Sequence, residues 1–172
     1  GTNIDYPVMQ TPTDPTYYLK HDFEKNYTDY GCPFMQADCD ALAPSDNLII
    51  YGHNMRDLSM FGTLKYYRTD ENYYDEHPII QLNSNYETYQ YKIFGYFIAD
   101  AEDTTDTRFE YWNAIDFSGE KEFYDYVNEV KRRTLRITNV DVTYGDQLLT
   151  LSTCEYSSAN GRYVVVARKV SS

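Results

Sequence analysis

Three residues of this chain, each at the end of an apolar run, have the types and spacing that suit covalent catalysis. Cys154 closes Leu148-Leu149-Thr150-Leu151-Ser152-Thr153, and Arg162 follows eight residues later at the start of a second apolar run that ends at Val170. His53 closes Asn47-Leu48-Ile49-Ile50-Tyr51-Gly52 far upstream. A thiol is the best of the common nucleophiles near neutrality, but only as the thiolate, so its pKa must be lowered by a neighbouring cation or helix terminus. His53 as imidazolium and Arg162 as guanidinium are such cations. Arginine keeps its proton in proteins, which fits it to hold a developing oxyanion and unfits it as a general base. No Asp or Glu occupies a position that argues for a histidine orienter, so the expected set is Cys-His-Arg rather than a papain-like triad. Each residue also has a plainer reading: an inert core thiol for a lone cysteine, and a strand-end imidazole satisfied by a backbone carbonyl for His53.

The elements that must position these groups are short. Continuous apolar and β-branched runs predict buried strands near 48–52, 148–154 and 163–170, with further strands at 34–36, 79–82, 87–91, 93–99 and 136–137. The segments 87–91 and 93–99 read as one bent strand. Residues 5–9 read as extended. Asp14-Pro15-Thr16 is a helix start with proline in the first turn, and a short helix over 16–23 follows from it. Helical turns are expected at 60–67 and 71–74, and an amphipathic helix over 118–131. Many short strands with few helices favour a closed β-barrel carrying helices on its outside. No internal repeat or low-complexity linker divides the chain, and 172 residues suit one well-buried core, so residues 1–172 are expected to form a single domain.

The motifs then meet a known family. Thr150-Leu151-Ser152-Thr153-Cys154, Arg162 and Tyr51-Gly52-His53-Asn54-Met55 jointly resemble the sortases, and class B in particular, because a long insertion with an amphipathic helix precedes the cysteine strand. The resemblance runs from Asp5-Tyr6-Pro7-Val8 onward and is weakest between Gly31 and Pro44. It implies a mainly β fold, a closed eight-stranded sortase-type barrel with an N-terminal helix and an additional helix in the long loop before the cysteine strand. It also implies a transpeptidase in which Cys154 attacks a sorting-signal peptide bond, His53 protonates the departing amine and Arg162 holds the oxyanion. The signal would be of the N-P-Q-T-N or S/N-P-x-T-G kind. The acyl acceptor would be a peptidoglycan cross-bridge amine or, in a pilus assembly enzyme, a pilin lysine.

Substrate contacts carried over by the resemblance are Ser152, Thr153, Glu155, Leu19, Thr107, Tyr111 and Trp112. Ser152 also precedes the cysteine by two and so alternates to the same strand face, while Glu155 reads equally well as an exposed loop carboxylate. Trp112, the only tryptophan, suits an aromatic wall for a proline-containing peptide. Other readings are a cysteine endopeptidase with water as acceptor, and a peptide-binding module without catalysis.

Composition narrows the alternatives. A formal net charge of −12, without a lysine or arginine cluster, argues against nucleic acid and fits a soluble acidic surface. Twenty tyrosines suit half-buried strands and surfaces that recognise peptides or glycans. No stretch of eighteen apolar residues is present to span a membrane. Sortases carry an N-terminal membrane anchor, and a chain beginning Gly1-Thr2-Asn3 is expected to be a segment excised from a longer one, acting as a monomer on the outer face of a Gram-positive cell membrane. Cys32 and Cys39 are either a disulfide, which an extracellular location permits, or two free thiols. Neither metal nor cofactor is expected: His21 with these cysteines fits no common zinc spacing, and Asp100, Glu102, Asp103 and Asp106 lack the glycine and final glutamate of a calcium loop. His21 and His77 read as surface residues.

Overall fold

Strands buried on both faces read as unbroken apolar runs, and this chain builds its centre from two of them. Leu148–Cys154 (β5) and Arg162–Lys169 (β6) pair antiparallel, with Leu148 opposite Arg168 and Ser152 opposite Val164. Leu148, Leu149, Val164, Val165, Val166 and Ala167 are each essentially inaccessible. A strand can bury consecutive side chains only if both sheet faces are covered. The computed structural model describes residues 2–99, 108–154 and 161–170, and within them six strands form one sheet.

The remaining strands are Phe34–Met35 (β1), Asn47–His53 (β2), Ile79–Asn83 (β3) and Thr88–Ala99 (β4). Their order across the sheet is β1-β2-β5-β6-β4-β3. The β2–β5 pair is parallel and the others antiparallel. Alternating exposure along β3 marks an edge strand with one wet face.

Two apolar layers cover the sheet. On one face Ile49, Ile93, Leu149, Leu151 and Val165 meet Phe61 and Leu64, and also Tyr74 of the short helix Tyr73–Glu76 (α2), which follows Tyr66–Thr69 (α1). On the other face Phe94, Phe97, Leu148, Val164 and Val166 meet the helix Glu120–Arg133 (α3) through Phe123, Tyr126, Val127 and Val130. Those four positions recur at intervals of three, one and three residues, the spacing that keeps side chains on one helical face.

Three expectations change. The sheet has six strands with β1 and β3 at its edges, not eight closing a barrel, among the described residues. The segment near Arg136 and Ile137 forms no strand: it is tied to β4 partly through threonine hydroxyls, Thr134 Oγ1 accepting from Tyr96 N at 3.0 Å and Thr138 Oγ1 donating to Phe94 O at 2.9 Å. Side-chain bonds of this kind replace the backbone ladder that would define a strand. The helix expected over 16–23 shrinks to a 3-10 turn at Tyr17–Leu19, because the chain reverses there and His21 bridges Tyr27 across the reversal. The bent strand is borne out as β4, whose register with β6 shifts between Ile93 and Gly95.

Candidate active site

Parallel pairing brings the two most distant motifs together. Asn47 to His53 of β2 runs in register with Leu148 to Cys154 of β5, so His53 lies directly opposite Cys154 on adjacent strands. Neighbouring strands are about 4.8 Å apart, so two residues separated by a hundred positions become neighbours. The β5–β6 pairing runs as far as Ser152 opposite Val164, so Cys154 and Arg162 lie beyond its last pair, at the same end of the two strands. The three positions therefore lie at the same end of three consecutive strands. Residues 155–160, which join the last two strands, include Glu155 and lie outside the described residues, as does Thr107.

His53 is held by its surroundings. Its Nε2 lies 2.6 Å from the carbonyl oxygen of Leu19, and its own carbonyl accepts from Phe61 N at 2.9 Å. Before it, Gly52 gives room to the Phe61 ring, which would lie 2.7 Å from any Cβ there. Asp29 is within electrostatic reach: Lys20, bonded to it at 2.9 Å, holds its carboxyl below the usual range, with a smaller pull from His53. The Leu19 carbonyl was not legible in the sequence, because it comes to His53 only through the folding of the chain around residue 19.

An open cleft of about 340 Å³ lies beside these strand ends, with Leu19, Gln36, Asp38, Tyr51, Trp112 and Arg162 among its walls. Gln36 ties three walls together: Tyr51 Oη donates to Gln36 Oε1 at 2.6 Å, and Gln36 Nε2 donates to Trp112 O at 2.8 Å. The Arg162 guanidinium stands 6.0 Å from the Trp112 ring centre and that of Arg108 stands 5.1 Å from it. An indole face attracts such cations and limits how they turn. Leu19, Trp112 and Arg162 thus line the same cleft. Gln36 and Asp38 were missed, since they sit in the stretch where the motif resemblance is weakest.

Three further residues named from the sequence face the interior. Ser152 is fully buried, its hydroxyl 2.7 Å from that of Tyr111, itself inaccessible. Thr153 is buried as well, its hydroxyl accepting from Tyr163 N at 3.0 Å. Below them the Thr150 hydroxyl donates to Asn47 Oδ1 at 3.0 Å and lies 3.3 Å from Tyr126 Oη, a phenol whose pKa burial pushes up to about 12. These bonds satisfy hydroxyls that would otherwise be costly to bury, and they fasten β5 to α3 and to the turn at Tyr111–Asn113.

Cys32 and Cys39 are free thiols, each buried in a different apolar cluster. The disulfide alternative is therefore excluded. Among the described residues no three His, Cys, Asp or Glu side chains gather as a metal site. His21 stacks on Tyr17 at 3.9 Å, with Nδ1 2.8 Å from the Tyr17 carbonyl oxygen. The acidic loop weighed as a calcium ligand lies outside the described residues. No helix among the described residues is long and apolar enough to cross a membrane.

Residues 1–170 match the family model of the sortase domain. The chain is 34% identical over 170 residues to sortase B of Staphylococcus aureus, and 34% identical over 171 residues to sortase B of Listeria monocytogenes. Each alignment covers 98% of this chain and 66% of the relative, so the chain spans just under two thirds of these relatives' length. Its fold superimposes on the Staphylococcus aureus sortase B–substrate complex with a TM-score of 0.86 at 32% identity, over 99% of this chain and 76% of that one.

Proposed function

The chain belongs to the sortase family, in its class B, and from that premise we propose that it is a cysteine transpeptidase. Its substrate is a C-terminal sorting signal of the N-P-Q-T-N or S/N-P-x-T-G type on secreted surface proteins. Its acceptor is an amine of the cell-wall peptidoglycan, and it works at the outer face of a Gram-positive cell membrane. The observation that carries this reading is the in-register pairing of His53 with Cys154, beside an open cleft walled by Arg162 and Trp112. A relative of the same fold has been captured with substrate.

In the proposed reaction the Cys154 thiolate attacks the carbonyl carbon of the scissile peptide bond, forming a C–S bond while the carbonyl oxygen takes the negative charge. Arg162 donates N–H groups to that oxygen, an interaction stronger in the tetrahedral state than in the ground state. Collapse breaks the C–N bond, and His53 gives its proton to the departing amine. The thioester that remains is attacked by the acceptor amine, which yields its proton to His53 as the C–S bond breaks and the thiolate returns. Leu19 and Trp112 contact the peptide along the cleft, and Ser152, Thr153 and Tyr111 hold the end of β5 in position.

The test is mass spectrometry of the protein incubated with a panel of sorting-signal peptides, with and without a glycine-rich or diaminopimelate amine, alongside Cys154→Ala. A ligated product requiring both Cys154 and the amine is the expected result. Cleavage indifferent to the amine would sink transfer in favour of an endopeptidase, and binding without a thioester would indicate an idle peptide-binding module.

A further inference from the structure

We infer that the Leu19 main-chain carbonyl, held in place through Gly31, is the positioning group of His53, fixing the neutral imidazole as the Nε2–H tautomer so that Nδ1 is the nitrogen that exchanges protons in the reaction. The inference rests on the functional reading above for what Nδ1 does, but not for which nitrogen carries the proton.

A carbonyl oxygen only accepts. With 2.6 Å between Nε2 and Leu19 O, Nε2 carries hydrogen in both the neutral and the cationic ring. Proton exchange with thiol and amine then belongs to Nδ1. The carbonyl-satisfied histidine and the catalytic histidine, alternatives in the sequence, are here compatible, one on each ring nitrogen. In catalytic and metal-binding histidines the bond at one nitrogen commonly sets the chemistry of the other.

The carbonyl is itself fixed. Leu19 closes the 3-10 turn, its N–H donating to Thr16 O at 3.0 Å, and Cys32 N donates to Tyr18 O at 3.0 Å. Between these, Gly31 has a φ of +60°, and a Cβ on it would lie 2.7 Å from Leu19 O and closer still to Tyr18 O. Only glycine leaves both carbonyls where they are. Because Leu19 also lines the cleft, the same turn borders the cleft and holds the imidazole, so peptide binding and imidazole orientation share one element.

The fold supplies an internal control two residues along. His21 presents Nδ1, not Nε2, to a carbonyl, that of Tyr17 at 2.8 Å. The two histidines are therefore expected as opposite neutral tautomers in one spectrum.

The test is a long-range proton–nitrogen correlation spectrum of protein labelled with ¹⁵N-histidine, recorded above the histidine pKa range and assigned with His21→Gln, His53→Gln and His77→Gln. His53 is expected as Nε2–H and His21 as Nδ1–H. A His53 signal typical of Nδ1–H, or of a rapidly exchanging mixture, overturns the inference whether or not the protein ligates peptides. Failure of ligation with the expected tautomers leaves the positioning intact and rejects the transpeptidase reading. Gly31→Ala then tests the support. Displacing the carbonyl is expected to convert the His53 signal to a mixture, leave that of His21 unchanged, and lower kcat about tenfold to a hundredfold, as sub-ångström to ångström misplacement does in preorganised sites. An unchanged His53 tautomer and kcat in this variant would overturn the role of Gly31. Should it fail to fold, the wild-type spectrum decides the tautomer.

Discussion

Of the three cysteines in the chain, Cys32 and Cys39 are buried. Burial pushes the Cys32 thiol up to about 11, and its Sγ lies 3.2 Å from the Pro7 carbonyl oxygen. Burial also raises Cys39. The thiolate is the reactive species, so neither thiol is nucleophilic at neutral pH. Cys154, opposite His53 at a strand end, is expected to react first with iodoacetamide at pH 7, with Cys32 and Cys39 labelled only after denaturation. Peptide mapping by mass spectrometry over time reads this directly, and prompt labelling of Cys32 or Cys39 would contradict it. The sequence pointed to Cys154 as the reactive cysteine through its motif. It left the pairing of the other two open, because spacing says nothing about which apolar cluster a thiol joins.

At the scale of the element, α3 carries its own charge ladder. Glu129 accepts from Arg132 at 3.0 and 2.6 Å and from Arg133 at 2.6 Å, within the last turn of the helix, where cations also meet the negative end of the dipole. Its carboxyl is lowered to about 2, chiefly by the hydrogen bond from Arg132. A folded-state value below the unfolded one contributes stability that is complete above about pH 4.5 and disappears as pH falls towards 2. Glu129→Gln should therefore be less stable than the parent at pH 6, with the gap narrowing progressively in urea titrations as pH falls from about 4.5 towards 2. A gap that stays constant across that range would assign the effect to packing. The position of α3 was legible to within two residues at each end, since its apolar stripe follows the helical period. The helix expected over 16–23 was not, because the reversal that ends it depends on contacts such as that of His21 with Tyr27, outside the expected helix.

The whole molecule carries a formal charge of −12. The ion pairs among the described residues, such as Lys20–Asp29 and Arg136–Asp75, are largely exposed, and exposed pairs contribute little each. Self-repulsion among the excess carboxylates should then outweigh what screening removes from the pairs. At 0.1 M salt the Debye length is about 10 Å, so the thermal midpoint at pH 7 is expected to rise as sodium chloride goes from low concentration to roughly 0.2 M. A midpoint that falls on adding salt would mean that the ion pairs dominate. Sulfate is unsuitable for this measurement because it strengthens burial by exclusion.

What the sequence determined by itself was local or carried by motif: the buried strands β2, β5 and β6, the amphipathic α3, and the places of Cys154, His53 and Arg162 at strand ends. Apolar periodicity reports a residue's own face, so such elements are legible from neighbours in the chain. Tertiary structure decided everything that depends on residues far apart. It set β2 parallel to β5 with His53 opposite Cys154, and it turned Ser152 and Tyr111 inward upon each other. It left the sheet with six strands rather than a closed eight among the described residues, and brought the Leu19 carbonyl, beside Gly31, to His53. A backbone carbonyl has no side chain to mark it in a sequence, and glycine marks only the freedom of its own dihedrals. Their role at His53 exists only once the chain has folded back on itself.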